Sequence, residues 1–256
     1  WSCTGGPWIK PEHSMKMIVW SETQFIGGSE ISLELERPEL NKGQQAYNFY
    51  RDIAVIAFPT PQDDGYRLDN WEAKSLTELR ARSDKFVPTF DESPRDAVIA
   101  AKDVRNITGK MDSKGVLTWD APEGNWTGLR MGYTTTAATT KPPARGGLGL
   151  EIDKMSKEAA DIHWDELVER IIEDADGKKA LTTILIDSYE VGHQNWTDDF
   201  PQLFQSLNNY DKISIVSPRD DLQQDTINPK YLLLRNPSEI CEIFGNLKLL
   251  KNVDGI

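Results

Sequence analysis

The sequence predicts an α+β chain, with an antiparallel β module inserted in part of a parallel βα framework. In residues 29–128 apolar and polar side chains alternate, as at Ile31, Leu33 and Leu35, and this period of two is typical of half-buried strands. From about residue 129 the predicted order becomes strand, loop, helix and strand, which is typical of a parallel sheet. We therefore divide the chain into four segments. They are 1–28 and 129–210 for the framework, 29–128 for the β-rich insertion, and 211–256 for a divergent C-terminal segment.

The first segment is expected to hold a loop and a short helix. Pro11 suits a first helical turn, and Met15, Ile18 and Val19 fall on one helical face. Inside the β module, residues 51–59 form a β-branched apolar run that ends in proline, which predicts a buried strand. Further strands are expected at 97–101, 116–119 and 128–133.

The framework segment is expected to contain one βαβ unit over residues 129–190. Ser156 is a natural N-cap, and apolar residues then recur at spacings of three and four until Asp176 and Gly177, which predicts an amphipathic helix. Residues 181–186 (LTTILI) are apolar with little alternation, as expected for a parallel strand that is buried on both faces.

Composition excludes several classes of function. The 256 residues include 29 Lys and Arg against 41 Asp and Glu, giving a formal net charge of −12. Such a chain is not expected to bind nucleic acid, because that affinity comes mostly from clustered cations. A membrane partner is not expected either, since no apolar run approaches the roughly 18 residues of a membrane helix.

Acidic side chains follow both framework strands. Glu151 and Asp153 come from the first loop, and Asp187 and Glu190 follow the second strand. Carboxyl ends of parallel strands meet at one edge of a sheet, so these side chains are expected to share a rim. Paired carboxylates are what glycoside hydrolysis needs, because one donates a proton and the other activates water or attacks the sugar. Oxygen-rich clusters also suit calcium.

Aromatic and polar residues near these loops fit a sugar ligand. Trp8 and Trp196 offer apolar ring faces, while His193 and Asn195 offer hydrogen bonds. A different interpretation is equally open: loop carboxylates are often solvated charges or helix caps, and tryptophans near loops are often lids of the core. For His163, at the edge of the helix's apolar stripe, we expect a buried histidine with its hydrogen bonds satisfied.

Four stretches of sequence resemble a known family. They are GGPWIKPEHSMKMIVWSET (5–23), LTWDAPEGNWTGLRMGYTTT (117–136), GGLGLEIDKMSKEA (146–159) and LIDSYEVGHQNWT (185–197). In this order they resemble the bacterial α-L-rhamnosidases of glycoside hydrolase family 106. The resemblance covers about residues 1–205.

The resemblance implies that the framework is part of a (β/α) barrel. It also implies rhamnoside hydrolysis with inversion by two glutamates, a calcium ion near the sugar, and a periplasmic or extracellular location, although the first ten residues show no signal peptide. By motif, Glu190 in DSYE and Glu151 in GLEID are the expected catalytic pair. The expected metal ligands are Asp153 and Glu12, and the expected substrate-binding residues are Trp8, Glu22, Asp187, His193, Asn195 and Trp196.

Length and one local departure qualify the expected activity. A complete barrel needs about 250 residues, so we expect a partial-length catalytic region. GYTTT is followed by Ala137 and Ala138, where the resemblance implies a glycine-containing loop. Three alternatives therefore stay open: a non-catalytic carbohydrate-binding module, an inactive truncated relative, and a folding or interaction fragment without a ligand.

Overall fold

The computed structural model describes most of the N-terminal two thirds of the chain. The described residues are 4–62, 99–143, 145–175, 181, 183, 191–192, 194–208 and 226–227. They form a mixed α/β structure with antiparallel sheets and few helices.

The strands are β1 Gly5–Gly6, β2 Lys16–Gly27, β3 Glu30–Glu34, β4 Arg51–Pro59, β5 Ile99–Ala100, β6 Arg105–Asn106, β7 Val116–Asp120, β8 Gly124–Thr135, β9 Leu150–Glu151 and β10 Thr226–Ile227. One sheet has four strands in the order β2-β8-β4-β6, and the pairs β1-β9, β3-β7 and β10-β5 form two-stranded sheets. The pairs β1-β9, β3-β7, β4-β6 and β10-β5 are all antiparallel.

The helices are short. The α-helices are α1 Lys42–Gln45, α2 Lys157–His163, α3 Glu169–Asp174 and α4 Phe200–Asn208, and a π-helical stretch, Trp164–Val168, joins α2 to α3. Single 3-10 turns occupy Pro11–His13, Ala101–Asp103 and Thr108–Lys110. Among the described residues, none of these helices has the length and apolarity needed to cross a bilayer.

Two compact units divide the chain. The first unit comprises Trp1–Val19, Pro38–Ile53 and Gly132–Asp199, and the second comprises Trp20–Arg37, Ala54–Met131 and Phe200–Ile256. The boundaries expected at residues 28, 128 and 210 stay a prediction.

The second unit has its core beneath strands that the sequence predicts correctly. The expected strand at 51–59 is β4, and β3 pairs with β7 from Glu30 opposite Asp120 to Glu34 opposite Val116. The buried core residues are Leu35, Val55, Ala57, Ile107, Leu117 and Trp126. Trp119 and Trp126 meet edge to face with ring centroids 5.0 Å apart, an arrangement that aromatic quadrupoles favour.

The first unit buries a smaller core beside β9. Ile9, Leu150, Ile152 and Ala159 form it, with Trp8, Tyr47 and Ile162 packed against it. As predicted, Ser156 caps the helix, since its side chain accepts a hydrogen bond from the amide of Ala159 at 3.3 Å. The helix thereby brings its buried residues over the strand that carries Glu151.

The prediction of a helix around Met15, Ile18 and Val19 is wrong. Only Pro11–His13 forms a helical turn, and the chain then continues as the twelve-residue strand β2. Buried and half-buried positions alternate at its start, which is the period of a strand. β-branched and aromatic side chains such as Val19 and Trp20 favour the extended form.

The parallel part of the expected framework is not described. Residues 184–186 of the predicted strand at 181–186 lie outside the described residues, as do Asp176 and Gly177 at the predicted helix end. The βαβ unit and the barrel framework therefore remain predictions.

Ala137 lies where the sequence departs from the expected glycine-containing loop, and its φ is +59°. A left-handed conformation costs a non-glycine residue about 1 kcal/mol. Replacing Ala137 by glycine should therefore raise the free energy of unfolding by about 0.5 kcal/mol, measured by urea denaturation, because the relief of about 1 kcal/mol is partly offset by about 0.5 kcal/mol of added freedom in the unfolded chain. Ala138→Gly is the matched control and should lower it by about 0.5 kcal/mol, because it only adds freedom to the unfolded chain. Equal effects of the two substitutions would contradict the strain.

Candidate active site

Glu151 is held by hydrogen bonds on both sides of a short strand. Gly5 lies opposite it in β1. The Glu151 carbonyl accepts a hydrogen bond from the Met15 amide at 3.0 Å, and the Glu151 amide donates to the Ala138 carbonyl at 3.0 Å. The backbone that carries this side chain is thus tied to residues that are distant in the sequence.

Close backbone packing against this strand requires glycine. A Cβ on Gly5 would lie 2.2 Å from the Leu150 carbonyl oxygen, and one on Gly149 would lie 2.0 Å from the Gly6 carbonyl carbon. Neither approach is sterically allowed, so the glycines set the distance between the strands.

The Glu151 carboxylate is buried, and the described residues that donate hydrogen bonds to it all contact one oxygen. The side chain is 2% exposed. Its Oε2 accepts from the Thr4 hydroxyl at 2.8 Å and from the Lys154 ammonium at 2.8 Å. No described residue donates a hydrogen bond to Oε1. Burial lowers the pKa of Lys154, and the adjacent Glu151 charge opposes that shift.

Asp153 is fully buried and accepts four hydrogen bonds. Its Oδ2 accepts from the Lys16 ammonium and the Thr197 hydroxyl, each at 2.8 Å. Its Oδ1 accepts from the Gln194 side chain at 2.5 Å and from the Met155 amide at 3.0 Å. Both carboxylate oxygens are therefore fully engaged within the protein.

The positive charge of Lys16 compensates for the burial of the Asp153 carboxylate. The lysine is 1% exposed and lies 2.8 Å from Asp153, with the partly exposed Asp198 3.9 Å away. An unpaired buried charge is strongly destabilising, so a buried lysine and a buried aspartate depend on each other.

Residues 194–196, which follow the second predicted strand, bond to β2 and to the loop after β9. Asn195 Oδ1 accepts from the Ile18 amide at 2.8 Å. Gln194 Oε1 accepts from the Lys154 amide at 3.1 Å. Trp196 is 4% exposed, and its ring lies 5.8 Å from that of Tyr133. In this conformation the indole offers no exposed face to a sugar.

The rings of Trp8 and His163 stack, with their centroids 6.1 Å apart. Within the described part of the chain, Trp8 Nε1 and His163 Nδ1 are buried without a hydrogen-bond partner. The prediction that His163 is buried is confirmed, but its Nδ1 is not satisfied as expected. Burial lowers the pKa of His163, Glu151 opposes the shift and Lys154 adds to it.

A second polar group surrounds Tyr133. Burial raises the pKa of Tyr133 to about 12, and its hydrogen bond to Asp198 contributes while Arg51 acts in the opposite direction. The hydrogen bond to Tyr133 in turn raises the pKa of Arg51. The tyrosine therefore stays protonated at neutral pH and links Arg51 with Asp198.

Comparison with known proteins identifies the chain. The family model described as alpha-L-rhamnosidase, glycoside hydrolase family 106, matches residues 1–217. The chain belongs to this α-L-rhamnosidase family. The resemblance of the four sequence stretches is thereby confirmed.

Two similar proteins are much longer than this rhamnosidase-family chain. It is 40% identical over 219 residues to a protein of Formosa agariphila named "Putative beta-glucuronidase", covering 84% of this chain and 18% of that protein. The solved structure of a rhamnosidase from Novosphingobium sp. PP1Y matches 82% of this chain and 33% of its own, with a TM-score of 0.60 and 21% identity. The chain thus spans about a fifth of the first protein and a third of the second.

The predicted site residues of this rhamnosidase-family chain do not all lie in one unit, and three of them lie outside the described residues. Glu151, Asp153, Asn195 and Trp196 lie in the first unit, as do Trp8 and the half-buried Glu12. Glu22 is exposed on β2 in the second unit. Asp187, Glu190 and His193 lie outside the described residues, so the predicted catalytic pair is not tested.

The described residues do not offer calcium a coordination set. No group of three or more His, Cys, Asp or Glu side chains suited to a metal occurs among them. Asp153, one of the two predicted ligands beside Glu12, already accepts four hydrogen bonds, and its nearest charge is an ammonium group. The calcium ion stays a prediction from the family resemblance.

Sequence reasoning missed the partners of both carboxylates. They are Thr4 and Lys154 for Glu151, and Lys16, Gln194 and Thr197 for Asp153. The available signal was Lys16 itself, a lysine beside apolar residues at the start of a strand, since a buried lysine requires a buried carboxylate.

The His163 environment predicts a pH dependence of stability. Unfolded histidine gains a proton near pH 6.5, whereas burial disfavours that proton in the folded protein. The folded state therefore binds fewer protons, and the His163 contribution is present above about pH 6.5 and lost as the pH falls. His163→Phe keeps a ring against Trp8 and should give a shallower loss of unfolding free energy between about pH 7.5 and 5.5. If the free energy of unfolding, measured with urea, fell equally steeply with pH in parent and variant, this prediction would be wrong.

Proposed function

We propose that this chain supplies an acid/base site for hydrolysing α-L-rhamnosides with inversion, with Glu151 and Glu190 as the carboxylate pair. Its membership of the α-L-rhamnosidase family supports the substrate class. The proposed substrate is a rhamnose-containing oligo- or polysaccharide. A periplasmic or extracellular location is proposed with it, as the family resemblance implies.

One observation supports the role of Glu151: among the described residues, its buried carboxylate is held through one oxygen. Thr4 and Lys154 both donate to Oε2, and no described residue donates to Oε1. Two bonds to one oxygen restrict rotation of the carboxylate, and such preorganisation lowers the cost of reaching the reactive geometry. Oε1 is then the oxygen for proton exchange with a sugar oxygen or with water.

Inverting hydrolysis needs a second carboxylate and no covalent intermediate. One carboxylic acid protonates the leaving oxygen, and the other carboxylate takes a proton from the water that attacks the opposite face of the sugar. The two groups are typically about 6.5–9.5 Å apart, which leaves room for that water. Glu190 is proposed as the second carboxylate because it lies in the DSYE motif. Kinetic measurements on the two variants assign the acid and the base.

A second candidate substrate is a glucuronide. The Formosa agariphila relative carries a glucuronidase name and is 40% identical to this chain. The acid/base chemistry would be the same, and only the sugar contacts would differ. Side-by-side assays with aryl α-L-rhamnoside and aryl β-D-glucuronide separate the two substrates.

Neutralising either proposed carboxylate should abolish turnover. Glu151→Gln and Glu190→Gln should each lower kcat on an aryl α-L-rhamnoside at least about a hundredfold, because general acid/base catalysis contributes about 10²–10⁴-fold. Glu158→Gln is the matched control, since Glu158 is exposed in the first turn of α2, and it should keep the parent rate. NMR of the first-formed sugar anomer checks inversion.

Three results would contradict the proposal. Parent-like rates in both glutamine variants would remove the acid/base pair, and a retained anomer would remove inversion. Binding of L-rhamnose without any turnover by the parent would instead favour a carbohydrate-binding module.

A further inference from the structure

Asp153 joins three segments that are far apart in the sequence. Lys16 begins β2, Met155 follows β9, and Gln194 and Thr197 belong to the segment before α4. All four donate to the two oxygens of one carboxylate. Because both Lys16 and Asp153 are buried, this arrangement is shielded from the competition of water.

A chain of contacts leads from this carboxylate to Glu151. Asp153 immediately precedes Lys154, whose backbone amide donates to Gln194 Oε1 at 3.1 Å. The ammonium group of Lys154 donates to Glu151 Oε2 at 2.8 Å. Gln194 therefore bonds to Asp153 with its amide nitrogen and to the Lys154 backbone with its oxygen. Lys154 thus contacts Gln194 through its backbone and Glu151 through its side chain.

We propose that Asp153, Lys16, Gln194 and Thr197 form a positioning cluster that holds Glu151 in its reactive geometry, and that Asp153 acts there as an anchor and not as a calcium ligand. This inference rests on the proposed role of Glu151. The anchoring itself does not depend on that role, since it follows from the four hydrogen bonds.

Thr197 gives the mildest way to disturb the cluster. Its hydroxyl donates to Asp153 Oδ2 at 2.8 Å, and the residue is 5% exposed. Thr197→Val removes the hydroxyl at nearly constant volume and leaves the Lys16 ion pair in place. Thr197→Ser restores the hydroxyl. A matched control in the other unit is Thr127, which is also buried and whose hydroxyl bonds to that of Thr60 at 2.9 Å.

The test compares the parent, Thr197→Val, Thr197→Ser and Thr127→Val. Loss of one hydrogen bond should speed amide hydrogen exchange at Lys154 and Met155 about fivefold in Thr197→Val. It should lower kcat on an aryl α-L-rhamnoside about tenfold with KM unchanged, because small displacements of a catalytic group are costly. Thr197→Ser should recover both values. Thr127→Val should match the parent in exchange at these two amides and in kcat.

A second measurement distinguishes anchor from calcium ligand. Adding calcium chloride to the parent should leave exchange at the Met155 amide unchanged, because Asp153 is already fully engaged. Slowing of about fivefold or more that is confined to the Lys154 and Met155 amides would place the ion at Asp153 and overturn the anchor, because binding elsewhere would slow exchange at other amides as well.

The two proposals fail in different ways. Parent-like exchange and kcat in Thr197→Val would refute positioning even if Glu151→Gln abolished turnover. If the parent hydrolysed no rhamnoside, the proposed function would fail, whereas the exchange rates would still decide whether the cluster anchors Lys154. A kcat loss that serine does not rescue would also overturn the positioning role.

Discussion

The buried ion pair between Lys16 and Asp153 is the constraint on which the first unit depends. Both side chains are almost fully removed from water, at 1% and 0% exposed, and lie 2.8 Å apart. Desolvating two charges costs several kcal/mol per ion, and the attraction compensates for that only with good geometry and further hydrogen bonds. Thr197, Gln194 and the Met155 amide supply those bonds. The pair therefore specifies one arrangement of three chain segments.

This arrangement accounts for the surroundings of Glu151. Strand β9 forms backbone hydrogen bonds to Met15 on one side and to Ala138 on another, while glycines allow the close approach of β1. Lys154 then meets Glu151 from the anchored loop. Two donors, Thr4 and Lys154, thus hold Oε2, and no donor to Oε1 occurs among the residues that the structure describes.

The sequence predicts the elements that have a clear period and misses contacts between distant residues. The run at 51–59 and the alternation around Ile31 predict strands that the structure confirms. Met15, Ile18 and Val19 fit a helical spacing, yet Ile18 and Val19 lie in strand β2, where pairing in a sheet overrides that pattern. Ala137 is a different case. The family resemblance implies a glycine-containing loop here, and the backbone at Ala137 is left-handed.

Within the candidate site, local sequence identifies acidic residues but not their partners. Glu151 and Asp153 are recognisable from their motif, yet Lys16 is 137 positions from Asp153 and Thr4 is 147 positions from Glu151. No periodic pattern relates residues so far apart. The family resemblance implies that Asp153 binds calcium, and the sequence shows nothing of the four donors that surround its carboxylate.

A double-mutant cycle on the ion pair tests this account most directly. Lys16→Met, Asp153→Leu and the combined variant are compared by urea unfolding, which isolates the interaction between the two side chains. Each single variant leaves a buried charge without its partner and should cost about 3–5 kcal/mol. The combined variant should be more stable than either single one. Additive losses, with the combined variant the least stable of the three, would contradict the account.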